Sequence, residues 1–331
     1  MNNAEVRRAL PADVGTPREV LRQFEGKRCF FLRYPGNNGD VLIRLGAEQL
    51  LRSAKLQTVH TMARADVIVM TGGFGVSDRW HVGLDALKAA AAYRATPIVV
   101  LPSSYEFRVT DPAIVLKHRE APTFLYCRER HSVERLRAFE FGPQVHVGLD
   151  HDMAMQLAGS SFIEALQAKS SADYVLVVDR KDDENPDTAR HQLTITPPIL
   201  ARMPFSRLLR AAVPFEARLR LRRMLLGRRH ARVSQGPPGW AVSALRDCFP
   251  EFEHRATRTA DVSVQEFYSF EEFTTAIARS AAVVTSRLHV GILAALLGKP
   301  TVLRSDPLLN VSGVYEYSLS VFANVRLWTG S

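Results

Sequence analysis

AAVVTSRLHVGILAALLGKP, residues 281–300, changes its backbone periodicity halfway along. Ala281 to Thr285 is a short apolar run of strand length, and Val290 to Leu297 is an apolar run of helical composition. Gly298 stands where a helix end favours a left-handed residue, and Pro300 prevents continuation. A strand therefore feeds directly into a helix, the repeating unit of a parallel α/β sheet. Upstream, Ser269 followed three residues later by Glu272 predicts a capping box opening a helix through Ala278, and YVLVVD at 174–179 predicts the first strand of the same series.

The N-terminal half repeats the pattern. A helix through Val20 to Phe24 precedes a strand at Cys29 to Leu32, which stops at Tyr34-Pro35-Gly36. GNNGD (36–40) then leads into VLIRLGAEQLLRSA, whose Leu42, Leu45, Leu50 and Leu51 suit a helix packed on a sheet. Asp66 to Met70 is a strand ending in Thr71-Gly72-Gly73, followed by a helix around Gly83 to Tyr93 and a strand at Pro97 to Leu101. Thr123 to Cys127 runs into a helix from Ser132 to Phe139, and Val145 to Val147 closes the series. The expectation is an α/β protein of two Rossmann-like domains, 1–155 and 156–331, facing a central cleft where ligands bind.

Composition narrows the class. With 331 residues and 46% hydrophobic content the chain can bury two cores, and 8% aromatic with 23% charged residues is ordinary for a globular protein. The formal charge of +9 attracts anions without naming one. Cys29, Cys127 and Cys248 have no metal-ligand spacing, so no metal site and a reducing, cytoplasmic location are expected. The start MNNAEVRRALPADVG lacks the apolar core of a secretory signal, and no apolar run reaches the roughly 20 residues needed to span a bilayer.

Four clusters are candidates for chemistry. In GNNGD the two glycines permit a sharp turn at a helix N-terminus, which favours an anion; Asp40 is either a helix cap or a base or sugar-hydroxyl acceptor. The spacing matches neither GxGxxG nor GxxxxGK[ST]. Thr71-Gly72-Gly73-Phe74-Gly75 and Ser103-Ser104-Tyr105 both follow strands, at the edge where α/β proteins bind ligands. In YCRERHS (126–132) Arg128 directly follows an apolar strand, where its planar fork would suit a carboxylate or phosphate. In Ser286-Arg287-Leu288-His289, alternation puts Arg287 and His289 on one side of the strand-to-helix turn, beside the positive helix end, and an imidazole passes protons either way near neutrality.

In the same order and at similar spacing, GNNGD, ADVIVMTGG, YCRERHSVERL, GLDHDMA and SRLHVGILAALLGKPTVL resemble the blocks of the polysaccharide pyruvyl transferase family, over roughly residues 30–320. The RLH block with its Ala/Leu-rich helix and Gly-Lys-Pro is the most specific of them. The resemblance implies a GT-B-like fold, phosphoenolpyruvate as donor, no cofactor, and a pyruvate ketal on a surface-polysaccharide sugar as product. It carries the family's donor-binding arginines onto Arg128 and Arg287 and its RLH histidine onto His289. SDPLLNVSGVYEY resembles the family's terminal loop, with Leu309-Asn310-Val311 where a lysine is often seen.

On that basis His289 (general acid), Arg287 and Asp40 (base or acceptor-orienting group) are the expected catalytic residues. Arg128, Arg287, His289, Ser286, Ser103 and Ser104 are expected at the donor, and Asn37, Asn38, Gly72, Gly73, Tyr105 and Ser312 at the acceptor or cleft. A basic segment at about 199–232, with ten arginines and one acid, Glu216, reads either as a solvated face or as an amphipathic element docking on anionic lipid. The second reading places the enzyme at the inner face of the cytoplasmic membrane with a lipid-linked oligosaccharide acceptor. Two rivals stand beside it: a GT-B glycosyltransferase using a nucleotide sugar, and a nucleic-acid-binding protein. Against the latter, the arginines lack aromatic interleaving and no recognition module is evident, so no nucleic acid is expected.

Overall fold

The computed structural model describes residues 14–73, 75–79, 82–180, 236–305 and 310–330; the basic segment at 199–232 lies outside them. In chain order the first elements are α1 (Pro17–Arg22), β1 (Arg28–Leu32), α2 (Asn38–Ser53), β2 (Gln57–Thr58), β3 (Val67–Met70) and α3 (Val82–Ala91). There follow β4 (Ile98–Ser103), α4 (Pro112–Leu116), β5 (Thr123–Cys127), α5 (Arg130–Arg137), β6 (Val145–Leu149), α6 (Ser161–Gln167) and β7 (Tyr174–Val178). After the undescribed stretch come α7 (Gly239–Cys248), β8 (Thr257–Thr259), α8 (Phe270–Ala278), β9 (Ser280–Thr285), α9 (Leu288–Leu296), β10 (Thr301–Arg304), α10 (Asn310–Val314) and β11 (Val325–Trp328).

Two sheets result, one of six strands in the order β2-β1-β3-β4-β5-β6 and one of five in the order β11-β10-β9-β7-β8. Every neighbouring pair in both is parallel. β3, β4 and β9 are buried along their whole length, which is why they read as unbroken apolar runs: a parallel strand covered on both faces has no polar side. The edge strands β2 and β8, Gln57-Thr58 and Thr257-Arg258-Thr259, are short, polar and largely exposed, and periodicity does not mark them.

The chain divides into two compact units. The first comprises Met1–Gly36, Asp40–Ala158 and Gly313–Val321, the second Asn37–Gly39, Gly159–Ser312 and Phe322–Ser331. Two short pieces thus belong with the unit that their place in the chain would not suggest. In the first unit the core under one sheet face includes Ile43, Leu50, Val69, Val99 and Tyr126, and under the other Met70, Leu87, Val100, Leu125 and Leu136. In the second, Val175, Val177, Ala282, Val284 and Val302 pack against Ala241, Ala244 and Leu245 of α7.

Local signals behave as physical chemistry requires. Ser269 and Glu272 form the reciprocal capping box, with Ser269 N–H donating to Glu272 Oε2 at 2.7 Å. Gly298 takes φ +74° at the end of α9. Three helices begin earlier than composition suggests: α2 at Asn38, α5 at Arg130 and α9 at Leu288. Parallel-sheet connections are short, so the motif residues occupy the first helical turns themselves, and side-chain alternation along an extended chain does not apply to them.

Candidate functional site

At the carboxyl ends of the second unit's strands a polar cluster forms. Asp179 and Arg180 follow β7, Asp261 follows β8, Ser286 and Arg287 follow β9, and His289 lies in the first turn of α9. Ser286 Oγ donates to Asp179 Oδ1 at 3.2 Å and accepts from the Arg180 N–H at 2.7 Å, tying the ends of β7 and β9 together. Arg287 is the N-cap residue of α9, in extended conformation, and its side chain makes no capping bond. The first-turn N–H groups of that helix are of the kind that attract an anion. Arg287 is only 7% exposed, and its Nη2 donates to Asp261 Oδ2 at 2.6 Å. Asp261 Oδ1 in turn accepts from Ser263 Oγ at 2.5 Å. Removing one partner of a buried ion pair of this kind costs about 3–5 kcal/mol, because the other charge is left unmatched.

Asn37, Asn38 and Gly39 belong to this same unit. Asn37 Oδ1 accepts the Gly39 N–H at 2.6 Å, which makes Asn37 a cap of α2. Asn38 is 1% exposed, and its Nδ2 donates to the carbonyls of Val262 at 3.0 Å and Tyr268 at 3.1 Å, while its N–H donates to Ser263 O at 2.8 Å. The Nδ2 of Asn38 is thus bonded to two backbone carbonyls, and the Oδ1 of Asn37 to a backbone N–H. A Cβ on Gly39 would stand 2.7 Å from His289 Cβ, closer than such atoms approach, so His289 packs directly against the Gly39 backbone. Ser312 is 6% exposed.

Asp40 opens the first unit's cluster. Its carboxylate oxygen lies 3.7 Å from where a Cβ of Gly73 would be, so GNNGD and TGG meet at the ends of β1 and β3, and Gly73 holds φ +118°, a conformation that favours glycine. Gly72 packs against the Pro102 carbonyl with no room for a side chain.

Deeper in the first unit lies a closed polar network around Arg128. This guanidinium, expected to project toward an open site, is 3% exposed; Nη1 donates to Asp152 Oδ2 at 2.7 Å and Nε to Ser104 Oγ at 2.8 Å. Ser104 Oγ donates to Glu129 Oε2 at 2.9 Å, Ser132 Oγ donates to Glu129 Oε1, and Ser132 Oγ accepts the Tyr105 N–H at 2.9 Å. Ser103 Oγ donates to the Leu101 carbonyl at 2.8 Å, and Tyr105 is fully buried in the core. Arg128, Ser103, Ser104 and Tyr105 are thus all buried: Arg128, Ser104, Glu129 and Ser132 form one hydrogen-bonded network, Ser103 is bonded to backbone, and the Tyr105 ring lies in the core. Burial pushes the Glu129 carboxyl up to about 7, although the Arg128 charge and the two serine hydroxyls pull it down.

The sequence reading therefore located Ser286, Arg287 and His289 in one cluster. It missed Asp179, Arg180 and Asp261. Their signal was positional, since each follows a strand at its carboxyl end, but β8 is too polar and short to be seen, and Asp261 with it.

Among curated proteins no match is found. A solved structure from Klebsiella pneumoniae subsp. pneumoniae NTUH-K2044, described as that of a functional uncharacterized protein, KP1_0663, is similar over 100% of both chains with a TM-score of 0.59 at 16% identity. That likeness concerns the fold alone. The family model for polysaccharide pyruvyl transferase matches residues 37–305, from the Asn37 cap through β10, and the chain belongs to the polysaccharide pyruvyl transferase family.

Proposed function

We propose that this chain transfers the pyruvyl group of phosphoenolpyruvate to two hydroxyls of one sugar, forming a pyruvate ketal on a surface polysaccharide or its lipid-linked precursor. The observation that carries the reading is the charged edge of the second sheet: Arg287 and Arg180 at the ends of β9 and β7, held with Asp261 and Asp179, and His289 in the first turn of α9. A donor bearing both a phosphate and a carboxylate needs several fixed positive groups, and this edge supplies two guanidinium groups, an imidazole and a helix N-terminus.

In the reaction a proton is added to the donor's methylene carbon, leaving a cation-like centre at the carbon that bears the phosphate oxygen. One sugar hydroxyl adds there and gives up its proton. The C–O bond to phosphate then breaks with its electron pair leaving on inorganic phosphate, and the second hydroxyl adds with loss of its proton. His289 is the residue suited to deliver the first proton. Electrostatic stabilisation by preorganised groups is commonly the largest contribution to such catalysis.

The test is incubation with phosphoenolpyruvate and a panel of lipid-linked or nitrophenyl glycosides, with mass detection of the product. A gain of the pyruvate ketal together with released phosphate supports the reading. A rise in melting temperature with nucleotide sugars and none with phosphoenolpyruvate would favour a glycosyltransferase instead, because a ligand stabilises the state that binds it.

A further inference from the structure

We propose that the GNNGD motif acts on the Arg287/His289 cluster as its positioning device, with Asn38 fixing the loop that carries Asp261 and Gly39 setting the place of His289. The inference rests on the reading of that cluster as the donor site. Asn38 makes three bonds into one segment: N–H to Ser263 O at 2.8 Å, and Nδ2 to Val262 O at 3.0 Å and to Tyr268 O at 3.1 Å. The residues it grips follow Asp261 in the chain, Val262 and Ser263 immediately; one Asp261 oxygen is held by Ser263 Oγ and the other receives Arg287 Nη2 at 2.6 Å. Asn38, the Val262-Ser263 backbone, Asp261 and Arg287 are therefore consecutive members of one hydrogen-bonded chain. A primary amide is the side chain that can give two hydrogens to two carbonyls without bringing a charge into a site that is 1% exposed.

Gly39 acts on the other member of the pair. Any side chain there would stand 2.7 Å from His289 Cβ and 2.9 Å from Cγ, so the imidazole keeps its place only because residue 39 has no Cβ. Asn37, by accepting the Gly39 N–H at 2.6 Å, fixes where the glycine sits. On this account the motif supports the arginine and histidine from behind.

Two measurements on the full chain test this. The first is imidazole NMR of histidine-labelled protein, with the His289 signal assigned by its loss in His289→Gln. Gly39→Ala is expected to move the His289 resonance and leave the other nine histidines in place; an unmoved His289 signal overturns the role of Gly39. The second is calorimetry with phosphoenolpyruvate. Asn38→Asp is expected to weaken binding at least tenfold, and Asp261→Asn to do the same. The double variant should be no weaker than Asp261→Asn within about twofold, because both act through one guanidinium. Losses that multiply, or wild-type affinity in Asn38→Asp, overturn the role of Asn38. Should Asn38→Asp fail to fold, Asn38→Ser, which keeps one donor, takes its place in the same cycle. If wild-type protein binds no phosphoenolpyruvate, the proposed function falls, while the NMR result still decides whether the motif positions His289.

Discussion

Glu129 offers the sharpest check on the physics of the first unit. Its carboxyl is fully buried among Ser104, Ser132, Arg128 and His131, the last with Nε2 at 3.5 Å, and burial raises it to about 7 from an ordinary 4.5. A carboxyl that holds its proton more tightly in the folded state stabilises that state fully below pH 4.5, and the contribution is lost as pH rises through about 7. At 1.36 kcal/mol per pH unit the full span is on the order of 3 kcal/mol, of which roughly 2–3 kcal/mol falls between pH 5 and pH 8. Glu129→Gln keeps the shape and a carbonyl oxygen but cannot titrate. Urea unfolding of both proteins across that range should show wild-type stability declining relative to the glutamine variant by this amount as pH rises. Arg135 is present in both proteins, and the difference reports residue 129 together with its coupling to His131, 3.5 Å away. Two stability curves running parallel from pH 5 to pH 8 would refute the buried, proton-retaining carboxyl, whatever their vertical offset.

Other expectations are briefer. Arg287→Ala should reduce phosphate release from phosphoenolpyruvate by at least about a hundredfold, the scale for losing one preorganised stabilising group; near wild-type release would count against the cluster. Asp40→Asn, if that carboxylate serves as base, should lower turnover while leaving the calorimetric affinity for phosphoenolpyruvate within a few-fold of wild type. Gly298→Ala forces a side chain into φ +74° and should cost about 1 kcal/mol in thermal unfolding. Sedimentation with anionic vesicles at low salt should retain the full chain if residues 199–232 dock on lipid, and deletion of that segment should release it.

Much was legible beforehand. The apolar runs at 67–70, 98–101 and 281–284, followed by Thr71-Gly72-Gly73, Pro102-Ser103 and Thr285-Ser286, mark buried strands by their length and punctuation, which are local properties. The Ser269–Glu272 box and Gly298 are local too, and the structure shows both as read. No helix among the described residues is long and apolar enough to cross a membrane, which the same hydropathy reading anticipates.

Which polar side chains point at a ligand is a different kind of question. Arg128 and Arg287 look alike in sequence, each within two residues of the end of an apolar strand. Only the fold brings Asp152, 24 residues on, against the first, and Asp261, 26 residues back, against the second. The GNNGD motif shows the same limit: that Gly39 lies against His289 and that Asn38 bonds the Val262 carbonyl depends on residues 262–289, more than 220 positions away. Local sequence determined the strands, helices and caps because their energetics lie within a turn or two of chain. Tertiary structure alone decided burial, pairing and the partner of each charge, because those depend on contacts that no local pattern encodes.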